Sequence, residues 1–69
     1  MPLSFAKLGE ENIIRRVGGK PDVRQHLEDM GFVVGGTVTV VSAIGGNLIV
    51  HVKEARVAIS AEMAQKIQV

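Results

Sequence analysis

The chain has 69 residues, with 8 Lys or Arg against 7 Asp or Glu and no cysteine. This length predicts one domain over residues 1–69 with a small core, and the absence of cysteine excludes a disulfide framework and a thiolate zinc site. Hydrophobic residues make up 46% of the chain and aromatics 3%, so we expect an aliphatic core. The net charge of +1 comes from signs interspersed along the chain, which predicts no nucleic-acid partner.

The sequence predicts a protein without a membrane segment. No apolar stretch approaches the roughly 18 residues that cross a bilayer, and residues 1–6 lack the charged and long apolar regions of a signal peptide. We therefore expect a cytoplasmic protein with no direct membrane insertion, either a monomer or a weak homo-oligomer.

The first half of the chain predicts one strand and one amphipathic helix. Residues 12–17 form a short β-branched run that two glycines stop, which is typical of a strand ending in a turn. Pro21 favours the first turn of a helix, and Gly31 favours a left-handed stop. Between them, three apolar residues recur at i, i+4 and i+7 on the predicted inner side, namely Val23, Leu27 and Met30.

The clearest predicted strand is Thr37–Ile44. Its alternation places three apolar side chains on one face, namely Val38, Val40 and Ile44. Residues 45–47 are two glycines and an asparagine, which suit a tight connection to a second strand at residues 48–53. The two strands are therefore predicted to form a hairpin.

A third strand is predicted at residues 56–60, after a short turn, which completes a meander. Ser60 is expected to cap a short helix that runs through Gln65, and residues 67–69 are expected to form a last strand. Because no crossover helices separate the strands, a doubly wound sheet is excluded. The elements predict a mainly β fold: a small barrel of about five strands with one inserted amphipathic α-helix and a short C-terminal helical turn.

The two histidines are the only weak metal-ligand candidates. His26 lies among charged residues of the predicted helix, and His51 lies on a strand after it. Neither belongs to a motif with the spacing of metal ligands, so ordinary surface side chains are the favoured interpretation. The alternative is a loose site for ferrous iron or another divalent transition metal, completed by a carboxylate such as Glu28 or Glu54. No cofactor is required.

No catalytic constellation is found in the sequence. Glu10 and Glu11 are neighbours and so point to different faces, and no serine lies in a nucleophile-elbow pattern. The paired glycines match no phosphate-binding motif and are interpreted as turns. The chain is predicted to be no enzyme but a module that binds a partner through exposed loops and one polar helix face.

Residues 27–41 read LEDMGFVVGGTVTVV and resemble the LxxLGxxPGxxVxVV signature of FeoA-like domains. Residues 45–60, 61–69 and 2–9 are similar to the family's following hairpin, its closing helix and strand, and its opening segment. The resemblance thus spans nearly the whole chain. The usual turn proline is Val34 here, which lacks the fixed φ of proline but can still enter a turn.

The resemblance implies an SH3-like barrel and a cytoplasmic accessory protein of bacterial ferrous iron uptake. The implied partner is the FeoB-type membrane transporter, which carries a GTPase domain. Partner contacts are expected on the polar helix face, at Arg24 and Glu28, and in the loop at Gly46 and Asn47.

FeoA-like barrels also resemble the C-terminal SH3-like domains of iron-dependent repressors. This resemblance implies an alternative function, a metal-responsive regulatory module. Such domains normally follow a DNA-binding segment, whereas Met1 is expected to open the barrel directly, so this alternative would need a partner chain to supply the DNA-binding part.

Overall fold

The computed structural model describes all 69 residues, as six strands and two α-helices. The strands are β1 (Glu11–Ile13), β2 (Arg16–Val17), β3 (Thr37–Ile44), β4 (Asn47–Val52), β5 (Ala55–Ser60) and β6 (Ile67–Gln68). The helices are α1 (Pro21–Asp29) and α2 (Ala61–Ala64), and a 3-10 helix, Leu3–Phe5, precedes them. A four-stranded antiparallel sheet has the order β1-β3-β4-β5, and β2 pairs with β6 in a second sheet. The predicted mainly β fold is confirmed, with six strands instead of about five.

The single strand predicted at residues 12–17 is wrong, because the chain changes sheets inside it. Ile14 exchanges backbone hydrogen bonds of 2.8 Å with Gly35 and Gly36 beside β3. One residue later, the Arg15 N–H donates to the Gln68 carbonyl at 2.8 Å, which brings the chain to β6. The two adjacent isoleucines at this corner differ in burial, since Ile13 is 56% exposed and Ile14 only 1%.

Helix α1 begins at Pro21 and ends one residue before its C-cap, Met30, as predicted from its amphipathic pattern. Leu27 is fully buried, and Val23 and Met30 pack half-buried against the core. Gly31 follows with φ +110°, and a Cβ built there would lie 3.2 Å from Cδ of Lys53. Glycine is therefore favoured at this position, because it adopts the positive φ without strain and leaves room for the Lys53 side chain.

The meander of β3, β4 and β5 is confirmed. Strand β3 has the predicted bounds, and β4 begins and ends one residue earlier than expected. The turn between them is Gly45–Gly46, with φ +55° and +81°, and two consecutive positive φ values are what a type I′ hairpin turn requires. The turn between β4 and β5 consists of residues 53–54, where Lys53 has φ +55°.

The prediction that Ile44 shares a face with Val38 and Val40 is wrong. The register of β3 against β4 shifts between Val40 and Ser42, so Val41 is an extra residue that forms a β-bulge. Because side chains alternate along a strand, one extra residue reverses the faces beyond it. Val38 and Val40 stay in the core, whereas Ile44 is 67% exposed.

The core is aliphatic, as predicted, with one aromatic residue. It joins residues from both sheets, both helices and the N-terminal segment: Leu3, Ile14, Val17, Leu27, Phe32, Val38, Val40, Leu48, Val50, Val52, Ile59, Ala64 and Ile67. The closing elements are also confirmed. Ser60 accepts a hydrogen bond from the Met63 N–H at 3.1 Å as the N-cap of α2, and fully buried Ile67 pairs with Val17. Neither helix is long and apolar enough to cross a membrane.

Candidate interaction surface

The predicted helix contacts, Arg24 and Glu28, lie one turn apart on α1. A spacing of four residues places both side chains on the same side of a helix. Arg24 is exposed and Glu28 half-buried. The Glu28 carbonyl accepts the Gly31 N–H at 2.9 Å, so Glu28 lies in the last turn of α1. This is the end of the helix where the Lys53 side chain lies beside Gly31.

The predicted loop contacts, Gly46 and Asn47, lie at the β3–β4 turn and are exposed. The turn is tied to α2, because the Gly46 carbonyl accepts the Ala61 N–H at 2.9 Å. Asn47 is the first residue of β4 and pairs with both Ile44 and Ser60. The backbone of this loop is therefore fixed, and the Asn47 side chain is what it presents to solvent.

The helix pair and the loop pair do not form one patch. Asn47 begins β4, and Lys53, which covers Gly31, follows its last residue. At about 3.3 Å per residue, the two ends of a six-residue strand lie about 16 Å apart. Glu28 therefore lies toward the opposite end of β4 from Gly46 and Asn47.

The two histidines are exposed and lie on different elements. His26 is on α1, while His51 is on β4 with Thr39 and Arg56 as its cross-strand neighbours. No group of three His, Asp or Glu side chains is arranged to hold a metal ion. The surface also holds no pocket.

An exposed apolar patch lies where β1 meets the turn before β3, and sequence reasoning did not identify it. Hydrogen bonds of 2.8 Å join Ile14 to Gly35 and Gly36. The two segments joined by these bonds carry three exposed aliphatic residues, Ile13 at 56%, Val33 at 39% and Val34 at 67%. We call these three residues the apolar edge. Its only sequence signal is the aliphatic pair Val33 and Val34 at a turn.

A second surface that the sequence did not predict is basic. The Gly18 N–H donates to the Lys66 carbonyl at 2.7 Å, and Arg16 pairs with Gln68. The Lys66 side chain lies over Gly19, with Cδ 3.2 Å from the position of a Cβ there. These contacts gather five cations around β2, β6 and the start of α1, which we call the basic face: Arg15, Arg16, Lys20, Arg24 and Lys66. Asp22 lies among these cations at the start of α1, and Glu28 lies one turn after Arg24.

Comparisons with known proteins agree on one family. The sequence model of the FeoA domain matches residues 1–69. The chain is 35% identical over 68 residues to the putative Fe(2+) transport protein A of Methanocaldococcus jannaschii, covering 99% of this chain and 83% of that protein.

Two solved structures show the same architecture. The zinc complex of FeoA from Stenotrophomonas maltophilia, described as a prokaryotic SH3 domain protein, has a TM-score of 0.86 and 26% identity, covering 99% of this chain and 87% of that one. A manganese-dependent transcriptional repressor also has a TM-score of 0.86, at 18% identity, covering 97% of this chain and 39% of the repressor. The predicted SH3-like fold is confirmed.

Proposed function

Because this chain belongs to the FeoA domain family, we propose that it is a cytoplasmic accessory protein of ferrous iron uptake that docks on the FeoB-type, GTPase-containing membrane transporter. One relative supports the iron-transport role. The relative from Methanocaldococcus jannaschii is named as a putative Fe(2+) transport protein, and this chain covers most of its length. The protein acts as an adaptor, and no catalytic role is proposed.

The observation that carries docking is the apolar edge. Val34 and Ile13 are each more than half exposed, and they lie on segments joined by hydrogen bonds. Adjacent exposed aliphatic side chains leave unfavourable apolar surface in water, and such patches mark protein–protein contacts. A partner that covers the apolar edge removes this surface from solvent.

The apolar edge is continuous with the predicted helix contacts. The Phe32 N–H donates to the Leu27 carbonyl at 3.0 Å, and the Val33 N–H donates to the Gly31 carbonyl at 3.0 Å. The chain therefore leads from the end of α1, where Glu28 lies, directly into the apolar edge. An apolar centre with charged groups at its rim is the usual anatomy of a protein interface.

Docking is tested by titrating the full-length transporter in nanodiscs, with and without a GTP analogue, into the labelled protein while its amide chemical shifts are recorded. We expect saturable shifts centred on residues 13 and 33–36. The double variant Ile13→Ser and Val34→Ser should weaken binding by at least about tenfold, because it removes the apolar contacts of the interface centre.

The double variant Phe5→Ser and Leu8→Ser is the matched control. Phe5 and Leu8 are as exposed as the residues of the apolar edge, at 71% and 61%, and they belong neither to that edge nor to the predicted partner contacts. The control should bind like the unmodified protein. Absence of shifts in both nucleotide states, or an equal loss in the control, would count against docking through the apolar edge.

The charged helix face has its own test. Exchanging the charges, with Arg24→Glu and Glu28→Arg in one variant, preserves the pair on α1 and reverses what a partner meets. We expect weaker transporter binding. Unchanged affinity in a folded variant would remove the helix face from the interface and leave the apolar edge as the contact.

The second candidate function is a metal-responsive regulatory module. The zinc complex of the Stenotrophomonas maltophilia FeoA favours it, and the likeness to a manganese-dependent repressor concerns the fold. A ferrous titration separates the two functions. Tight stoichiometric binding lost in His26→Ala or His51→Ala would favour metal sensing, whereas the adaptor needs no metal.

A further inference from the structure

The charge of this protein is distributed unevenly along the chain. The two segments that carry the basic face, residues 15–24 and 66–68, contain five cations and one carboxylate, that of Asp22, for a net charge of +4. The remaining residues carry three cations and six carboxylates, a net charge of −3, and the two parts together recover the overall +1. A nearly neutral protein thus has five of its eight cations on two segments that meet where β2 pairs with β6.

The charged groups of the basic face are available to a ligand. Four of its side chains are exposed, and Lys66 is half-buried. The side-chain groups that form hydrogen bonds within the chain are three amides, one hydroxyl and two carboxylates, and none of these bonds involves the five cations. Asp22, the carboxylate nearest to Lys20 in the chain, accepts the Val23 N–H at 2.9 Å.

We propose that the basic face binds the surface of an anionic membrane, through the phosphate groups of its lipids. Clusters of four to eight Lys and Arg are attracted to such surfaces, and each cation strengthens binding by about fivefold. The basic face is a different surface from the apolar edge, and its binding to lipid does not depend on docking on the transporter. The contact is peripheral, and no part of the chain enters the hydrocarbon.

The arrangement of the cations favours a lipid surface over a protein partner. They come from the β1–β2 corner, from the start of α1 and from the turn before β6, on a molecule of 28 × 24 × 22 Å. A protein partner would need carboxylates fixed at matching positions. Anionic lipids diffuse laterally and gather beneath cations of any spacing, so they need no preformed complement.

The test compares two double variants that have the same net charge. Arg16→Gln with Lys20→Gln removes two cations of the basic face, and Lys7→Gln with Arg56→Gln removes two exposed cations elsewhere. Both are assayed by co-sedimentation with vesicles of phosphatidylcholine mixed with phosphatidylglycerol, and with vesicles of phosphatidylcholine alone. Arg24 is unchanged in both variants, so the test does not disturb the helix face assigned to the transporter.

We expect the unmodified protein to bind the mixed vesicles, and to bind them less as salt is added, because salt screens exposed charges. The basic-face variant should bind about 25-fold more weakly, and the matched control less than about threefold more weakly. Equal losses in the two variants, or equal binding to both kinds of vesicle, would overturn the proposal. So would no vesicle binding, including the case where the same cations bind an acidic protein or a nucleic acid instead.

Discussion

The two turns at the ends of β4 are both held against a helix, but by different means. At Gly45–Gly46, a backbone hydrogen bond from Ala61 fixes the turn to α2. At residues 53–54, the aliphatic part of Lys53 lies over Gly31 at the end of α1. The first turn uses glycines at its positive φ values, whereas the second places a lysine at φ +55°. A turn that is anchored by a backbone hydrogen bond can use glycine at its positive φ values. A turn that is anchored by a side chain needs a residue that has one, even at a positive φ.

The largest effect is expected from Gly31→Ala, which crowds the contact between Gly31 and the Lys53 side chain. The methyl group would be placed at φ +110° and 3.2 Å from the Lys53 side chain. We expect a loss of about 2 kcal/mol in the free energy of unfolding, from backbone strain and crowding together. Gly9→Ala is the control, since its φ is +78° and nothing lies within 4 Å. Denaturant unfolding that gave the control an equal or greater loss would contradict this account.

An intermediate effect is expected from Gly46→Ala, which strains the turn held by its backbone. Gly46 has φ +81° and open space around its Cβ position, so strain is the only cost, at about 1 kcal/mol. The Ala61 hydrogen bond should persist, because its acceptor is the backbone carbonyl. Loss of protection of the Ala61 amide in hydrogen exchange would show that the turn had moved.

The smallest effect is expected from Lys53→Gly, in which two changes oppose each other. Glycine relieves the positive φ, worth about 1 kcal/mol, but removes the aliphatic cover of Gly31. The net change in unfolding free energy should stay within about 0.5 kcal/mol. Lys53→Ala keeps the strain and loses the cover, so it should be less stable than Lys53→Gly. A gain above about 1 kcal/mol in the glycine variant would mean that the cover contributes nothing.

Local signals in the sequence predicted the elements that depend on nearby residues. Pro21 marked the start of α1, and Ser60 marked the cap of α2. The alternation in residues 37–44 gave the exact bounds of β3. Each of these features is determined by residues within a few positions, which is why reasoning from the sequence could find them.

Features that depend on distant pairings could not be found in this way. The strand at 12–17 divides because Arg15 bonds to Gln68, and Ile44 turns outward because β4 offers no partner for Val41. The same holds for the surfaces. Arg24 and Glu28 lie on one side of α1, as a polar helix face predicts, whereas the basic face exists only because residues near 17 meet residues near 67.

The pairing of β2 with β6 has a consequence for the order of folding. Val17 meets Ile67, 50 positions later in the chain, whereas the hairpins at both ends of β4 close over two residues each. Closing a long loop costs more chain entropy than closing a short one, so the meander is expected to form early and this two-residue seam last. The basic face depends on the pairing of β2 with β6, so it is expected to be complete only after the meander has formed.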